Sequence, residues 1–449
     1  MLDKFPQIAH NAHKFTHWEM PMMLGTKRPL TIAAVLLMLA GLAFAGQESD
    51  VPKNDARDYR IWPSQPPQDC PFQPSLSLKG LAFTGRHAEY TNADTWYPSW
   101  AADDNLYSPW TDGKVDKMSA FSGGKDPCTG HAKIIGDDPL HLERVVDVAT
   151  VKASSAPYGG RYPCGSLVYR GIWYYGTYCL MNENGSLEAL VKTPQGDINW
   201  GVLGPFVGFR HSKDFGRTWI ETKHTPANSL FPEPKTFGGP VKIGSPHFVD
   251  FGKDMQHSPD GKAYLVAHGA LDPDPKPRIA NASWITGDQI FLLRVEPTPE
   301  NVEDASKYEF YAGTDTSGKP VWTHDFEAMK PLIDWNNRCG CVTMTYNPPL
   351  KKYLLCVTDG GNTVGTFNTW ILESDALTGP WRLVTFMEKF GPQAYFVNFP
   401  SKFIEGDGRT LWLCFAANFM ADVLKQAKPD PPDVRYAMCL QQVRLLGPD

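Results

Sequence analysis

The sequence has no surplus of positive charge: 43 Lys and Arg stand against 49 Asp and Glu, a formal net charge of −6. Without a basic field nothing draws a nucleic-acid backbone or an anionic membrane surface, so neither partner is expected. There is no Cys-x-x-Cys pair, and Cys339-Gly-Cys341 is too tight for a zinc knuckle without a second pair at matching spacing, so no metal is assigned to it. A phosphate-cradling Gly-Lys-Ser/Thr loop, a dinucleotide-binding glycine fingerprint and a Gly-x-Ser-x-Gly nucleophile elbow are also missing. Their absence removes phosphoryl, hydride and acyl-serine chemistry from contention.

Long apolar runs are scarce too. The one that stands out, residues 29–45 (PLTIAAVLLMLAGLAFA), follows Lys27-Arg28 and closes on Ala43-Phe44-Ala45. It is short of the roughly 20 residues that span a bilayer and reads as a secretory signal with a small-residue cleavage site. Residues 1–45 are therefore expected to be a signal segment, with Met23 as a natural start. The mature chain is expected outside the cell or in the periplasm, with no integral membrane association. All nine cysteines follow that segment, in a compartment that permits disulfides. Cys356 in LLCVT and Cys414 in LWLCFAA sit in apolar strands, where a thiol serves as a small hydrophobe.

What the chain has in quantity is aromatics and turn formers: 14 Trp, 39 Gly and 39 Pro. That is the composition of many short strands joined by tight turns. After a polar, Pro-rich lead (46–75), one strand-turn-strand theme recurs about every 60 to 90 residues, the spacing of propeller blades. The units are 97–113; 164–180 with 207–221; 246–269; 341–358 with 370–384; and 396–418 with 435–446. Turn tokens fall between their strands: Asp-Asp-Asn at 103–105, Arg-Gly at 170–171, Pro-Asp-Gly at 259–261, Asn-Pro-Pro at 347–349 and Gly-Asp-Gly at 406–408. The expectation is an all-β, single-domain, five-bladed β-propeller over 76–449, because a β-sandwich rarely needs so many hairpins. A helix is expected only near 299–311, as an insertion between blades three and four.

Ser212-Lys-Asp214-Phe-Gly216-Arg-Thr218-Trp219 resembles the Asp-box of sialidase-type propellers, in which the aspartate accepts backbone N–H bonds in an outer hairpin. Asp214 is thus expected to be scaffold. Ser374 to Trp381 resembles the outer Gly-Pro-Trp turn of five-bladed propeller glycosidases, and is also expected to be scaffold.

In a propeller the innermost strands converge on a central channel, so function is sought at their beginnings. In the first unit Asp94 and Asp112 bracket a hairpin turning at 103–105, which returns both to one end. Glycoside cleavage needs two such carboxyl groups, about 5 Å apart for retention or about 6.5–9.5 Å for inversion. Trp96, Tyr97, Trp100, Tyr107 and Trp110 crowd the same hairpin and could offer flat faces to sugar rings, or simply pack between blades. Arg161, Ser245, His247, Arg338, Tyr395 and Asn398 stand near inner-strand starts and are candidates for orienting a sugar. His247 could also ligate a structural channel cation; otherwise no cofactor is expected. His257 and His268 add only a faint metal signal.

The first-blade hairpin with its two aspartates, Thr111-Asp112-Gly113, the Lys-Pro-Val-Trp segment at 319–322 and the five-unit spacing resemble the bacterial endo-D-arabinanases, five-bladed propeller glycoside hydrolases that emerged from a domain of unknown function. The resemblance implies that Asp94 and Asp112 are the essential carboxylates and that the substrate is an arabinan. The expected protein is then a monomeric glycoside hydrolase of an extracellular polysaccharide, with Asp94 and Asp112 as acid and base or nucleophile. A non-catalytic carbohydrate-binding propeller would keep the aromatics without needing both aspartates. A polysaccharide lyase would want a His or Tyr base and an Arg or cation facing a uronate.

Overall fold

Alternating apolar residues in short runs, each closed by a turn token, bury one face of a strand and leave its neighbour to bury the other. In a computed structural model the described residues are 60–123, 126–152, 160–180, 191–193, 196–198, 203–233, 240–272, 284–360, 366–417 and 430–447; the expected signal segment lies outside them. They form five antiparallel blades.

Blade one sets Asn92–Asp94 and Ser99–Trp100 against Leu106–Val115, followed by Cys128–Ile135 and Arg144–Lys152. Blade two is Gly160–Tyr169, Ile172–Leu180 and Leu203–Ser212, with a bridge from His211 to Ile220 at its outer edge. Blade three runs His247–Phe248, Ala263–Gly269, Gln289–Val295 and Glu309–Thr314, with Pro320–Thr323 beyond. Blade four is Val342–Asn347, Lys352–Asp359, Asn368–Ser374 and Arg382–Met387. Blade five takes Tyr395–Asn398, Thr410–Ala416 and Met438–Leu446 from the end of the chain, and its fourth strand, Gly80–Tyr90, from the beginning. This pairing closes the ring, and sequence patterning did not single out that strand. The Pro-rich lead is laid along the outside: Arg60–Ile61 extends blade five, the Trp62 indole donates to the Glu388 carbonyl, and Ser75 Oγ bonds Glu373 of blade four.

The helix expected at 299–311 is a single turn, Pro299–Val302, capped by Thr298, with a 3-10 turn after it. It lies inside blade three, between the third and fourth strands, and not between blades three and four. Burial explains the short turn: Tyr308 sinks into the core and donates to the Val302 carbonyl, while Glu303 accepts from Phe209 N and Thr222 Oγ1 of the blade-two region. The turn is a peg between blades.

The central strands are tied to one another by side chains. Thr343 and Thr345 of blade four donate to the carbonyls of Val397 and Phe399 next to them, and the half-buried Asp250 carboxylate accepts from Ser401 N and Oγ. Seven of the nine cysteines are buried, as expected of thiols used for packing. In the Ser212–Trp219 hairpin, Asp214 accepts from the backbone N–H and hydroxyl of Thr218 and from Ser212 Oγ, which holds its carboxyl down at about 2.

Candidate active site

The site grows from one local constraint in blade one. Asp94 ends the strand Asn92–Asp94 and faces Thr111 across the ladder, so Asp112 sits beside it. The two strands cross so closely that a Cβ on Gly113 would lie 1.9 Å from the Asn92 carbonyl oxygen. Only glycine fits there. Around this crossing the backbone is strained: Thr95 (φ 68°), Asp112 (φ 48°) and Phe396 (φ 57°) all adopt left-handed conformations. Asp tolerates that region, whereas a β-branched Thr and a Phe do so only when packing over-determines them, at about 1–3 kcal/mol each.

Asp94, Asp112, Tyr162, Tyr178, Trp284, Phe396 and Tyr436 line one cavity of about 250 Å³. The two carboxyl groups differ in their surroundings. Asp94 is buried, and accepts from Thr95 Oγ1 (2.9 Å) and from the Tyr395 hydroxyl (3.0 Å). Burial, and then the neighbouring Asp112, push its carboxyl well above the usual range despite those donors. Asp112 accepts from the Ser122 N–H (2.7 Å) and hydroxyl (2.6 Å). Burial raises it as well, and the two Ser122 bonds oppose the rise. A pair of acids with unequal solvation of this kind divides into one proton holder and one carboxylate.

Of the residues expected at the ligand, Asp94 and Asp112 line this cavity and Tyr395 stands behind Asp94. The others do not line it. Trp96 is wholly buried with its indole N–H on the Ala93 carbonyl, and Trp100 lies four residues farther along the chain, in the strand Ser99–Trp100. Arg161 pairs with Cys179, and the next pair, Tyr162 with Tyr178, lines the cavity. Strand alternation therefore turns Arg161 to the opposite face. Arg338 is committed to Asp359 at 3.1 Å. Asn398 donates to the carbonyls of Trp96 and Phe396, fastening blade five to blade one.

Tyr97 and His247 stack with ring centroids 3.8 Å apart and line a separate, smaller cavity of about 40 Å³ together with Ser166, Thr343 and Asn398. His247 Nδ1 accepts from Gly165 N–H and its Nε2 meets Ser245 Oγ, while burial drives its pKa well down. Both ring nitrogens are thus engaged within the protein. Among the described residues no group of three or more His, Cys, Asp or Glu is placed to hold a metal.

Tyr162, Tyr178, Trp284, Phe396 and Tyr436 were missed from sequence. Tyr162 and Tyr178 could have been found by extending the second unit two residues upstream, which puts them opposite each other in register. Trp284 comes from a connection and carries no strand signal.

No protein-family model and no curated protein matches the chain. Among solved structures it is similar to a family 117 glycoside hydrolase from the marine bacterium Zobellia galactanivorans, with 11% identity and TM-score 0.42 over 82% of this chain and 90% of that one. It is also similar to an α-L-arabinofuranosidase from Podospora anserina in complex with cellotriose, with 10% identity and TM-score 0.38 over 87% and 96%. A third, the RS223 β-xylosidase, has 13% identity and TM-score 0.40 over 81% and 96%.

Proposed function

We propose that the protein is an exported glycoside hydrolase of an extracellular polysaccharide, an arabinan in the narrower reading, with Asp94 as general acid and Asp112 as base or nucleophile. The observation that carries this reading is the sharing of one aromatic-walled cavity by two carboxyl groups of unequal burial, Asp94 buried and Asp112 half-buried, with Asp94 raised the further. Asp94, destabilised as an anion by burial and by Asp112, keeps a proton to give to a leaving oxygen. Asp112, less buried than Asp94 and held by two donors from Ser122, is the better carboxylate and attacks the anomeric carbon or activates water. The walls of Tyr162, Tyr178, Trp284, Phe396 and Tyr436 suit the apolar face of a sugar, and their π faces suit the positive charge of an oxocarbenium-like transition state.

A lectin-like propeller would account for the aromatics but leaves the acid pair and its strained backbone without a use. A lyase is disfavoured because the cavity lining among the described residues contains no Arg, Lys or His to face a uronate. The test is to incubate the purified mature chain with arabinans, galactans and uronate polymers and to follow new reducing ends and 235-nm absorbance. Reducing ends without absorbance from a neutral polymer support hydrolysis; an unsaturated product establishes the lyase instead; binding without cleavage establishes the lectin.

A further inference from the structure

The two carboxyl groups come from blade one, but the hydroxyls that reach them from across the ring seam come from blade five. Tyr395, at the start of that blade's inner strand, donates to Asp94 Oδ2 at 3.0 Å. Tyr436, just ahead of the strand Met438–Leu446, donates to the backbone carbonyl of Asp112 at 2.8 Å and lines the same cavity as Asp94, where it counters the rise of that carboxyl. The segment carrying Tyr436 is pinned to blade one by its neighbour: Arg435 Nη1 donates to Asn92 Oδ1 at 2.7 Å, and its Nε lies 3.6 Å from Glu89. Asn92 is the first residue of the strand that ends at Asp94.

We propose that Tyr436 is the positioning residue of the carboxylate pair: one phenol from blade five, bonded to the Asp112 carbonyl and set in the same cavity as Asp94, that fixes how the two blade-one carboxyl groups face each other. This rests on reading the pair as catalytic. The ring of Tyr436 belongs to the cavity wall, but its hydroxyl is engaged with the protein, so the hydroxyl acts through the two aspartates and not by touching substrate. Holding the carbonyl of Asp112 keeps that residue in its left-handed conformation, with the carboxylate turned to Ser122. The phenol proton rests on this carbonyl and can turn to Asp94 when that carboxyl ionises, so the hydroxyl serves the charged form of Asp94. The groups facing Asp94 are Asp112 from its own blade, Tyr162 and Tyr178 from blade two, Thr95 beside it, and Tyr395 and Tyr436 from blade five.

The test uses the full chain carrying Tyr436→Phe. With aspartate carboxyls labelled with ¹³C and Asp94 identified by loss of its signal in Asp94→Asn, the Asp94 titration midpoint should rise by half a unit or more, about a threefold change in proton affinity. An unchanged or lowered midpoint overturns the proposal. This readout needs no substrate, so it stands even if wild type cleaves no glycan, which would overturn only the functional reading. On a glycoside that wild type cleaves, kcat should fall roughly 10- to 100-fold with KM within about twofold, and the basic limb of the pH profile should move up with Asp94. A raised KM with kcat intact would make the Tyr436 hydroxyl a substrate contact and overturn the positioning role. Should Tyr436→Phe fail to fold, Arg435→Gln releases the same segment from an exposed position, and the same midpoint should shift in the same direction by less; no shift there overturns the proposal.

Discussion

At the scale of single residues the molecule holds several carboxyl groups in an unfavourable ionic state. Burial raises Asp94 well above its ordinary range, and it lifts Glu233, which accepts from the N–H groups of Lys242 and Ile243, to about 7. A group whose folded pKa exceeds its unfolded value contributes stability below the unfolded pKa of about 4, and that contribution is lost as pH rises through the folded value. For Glu233 the window runs from about 4 to about 7. Asp94→Asn and Glu233→Gln should therefore have a flatter Tm-against-pH curve than wild type over this interval. Calorimetric scans at several pH values check this, and a wild-type Tm that rises relative to the variants across the window would contradict it. Asp214 behaves in the opposite sense, because its donors stabilise the anion. Asp214→Ala should cost about 1–2 kcal/mol through three lost hydrogen bonds while activity per folded molecule is kept. Loss of activity with an unchanged Tm would place Asp214 in the chemistry.

At the scale of elements, what could be read from sequence is what lies close in sequence. The Asp94–Asp112 pairing was legible because both aspartates belong to one hairpin, whose turn at 103–105 dictates where they return. The aromatic walls were not, because Tyr162, Trp284, Phe396 and Tyr436 arrive from other blades and meet only when the ring closes. Tyr97 and Trp96 were drawn into the expected site by their nearness in sequence, whereas successive positions on an inner strand descend the channel or turn into the core. The crossing of strands at Gly113 is the element on which the site depends. Gly113→Ala places a Cβ against the Asn92 carbonyl and should cost about 1–3 kcal/mol by overpacking, with activity lost beyond what the Tm change explains. Thermal melts and assays of the same preparation check it; a variant with wild-type Tm and rate would mean that the crossing is slack.

At the scale of the whole molecule, the repeat spacing revealed five blades because each is a local meander, but it did not reveal how the ring closes. Gly80–Tyr90 pairs with Met438–Leu446, some 350 residues away in sequence. Half of that early strand is polar and only partly buried, so it gives a weak strand pattern. The same seam carries Arg435 and Tyr436 to the carboxylates, so closure and chemistry are one problem in this fold. A chain beginning after residue 91 should lose cooperative unfolding by calorimetry, and a sharp transition near the wild-type Tm would show that the closing strand is dispensable.

The central claim is that two aspartates in one cavity cleave a glycosidic bond. Its most direct test is the rate of reducing-end release from the most responsive neutral polysaccharide by wild type, Asp94→Asn and Asp112→Asn, each confirmed folded. Asparagine keeps the size of both side chains and, at position 112, tolerates the left-handed backbone. Each variant should lose at least about 10² to 10⁴ in kcat, the range for a missing general acid or base, with Tm maintained or raised. An Asp112→Asn protein that cleaves at the wild-type rate would contradict the claim.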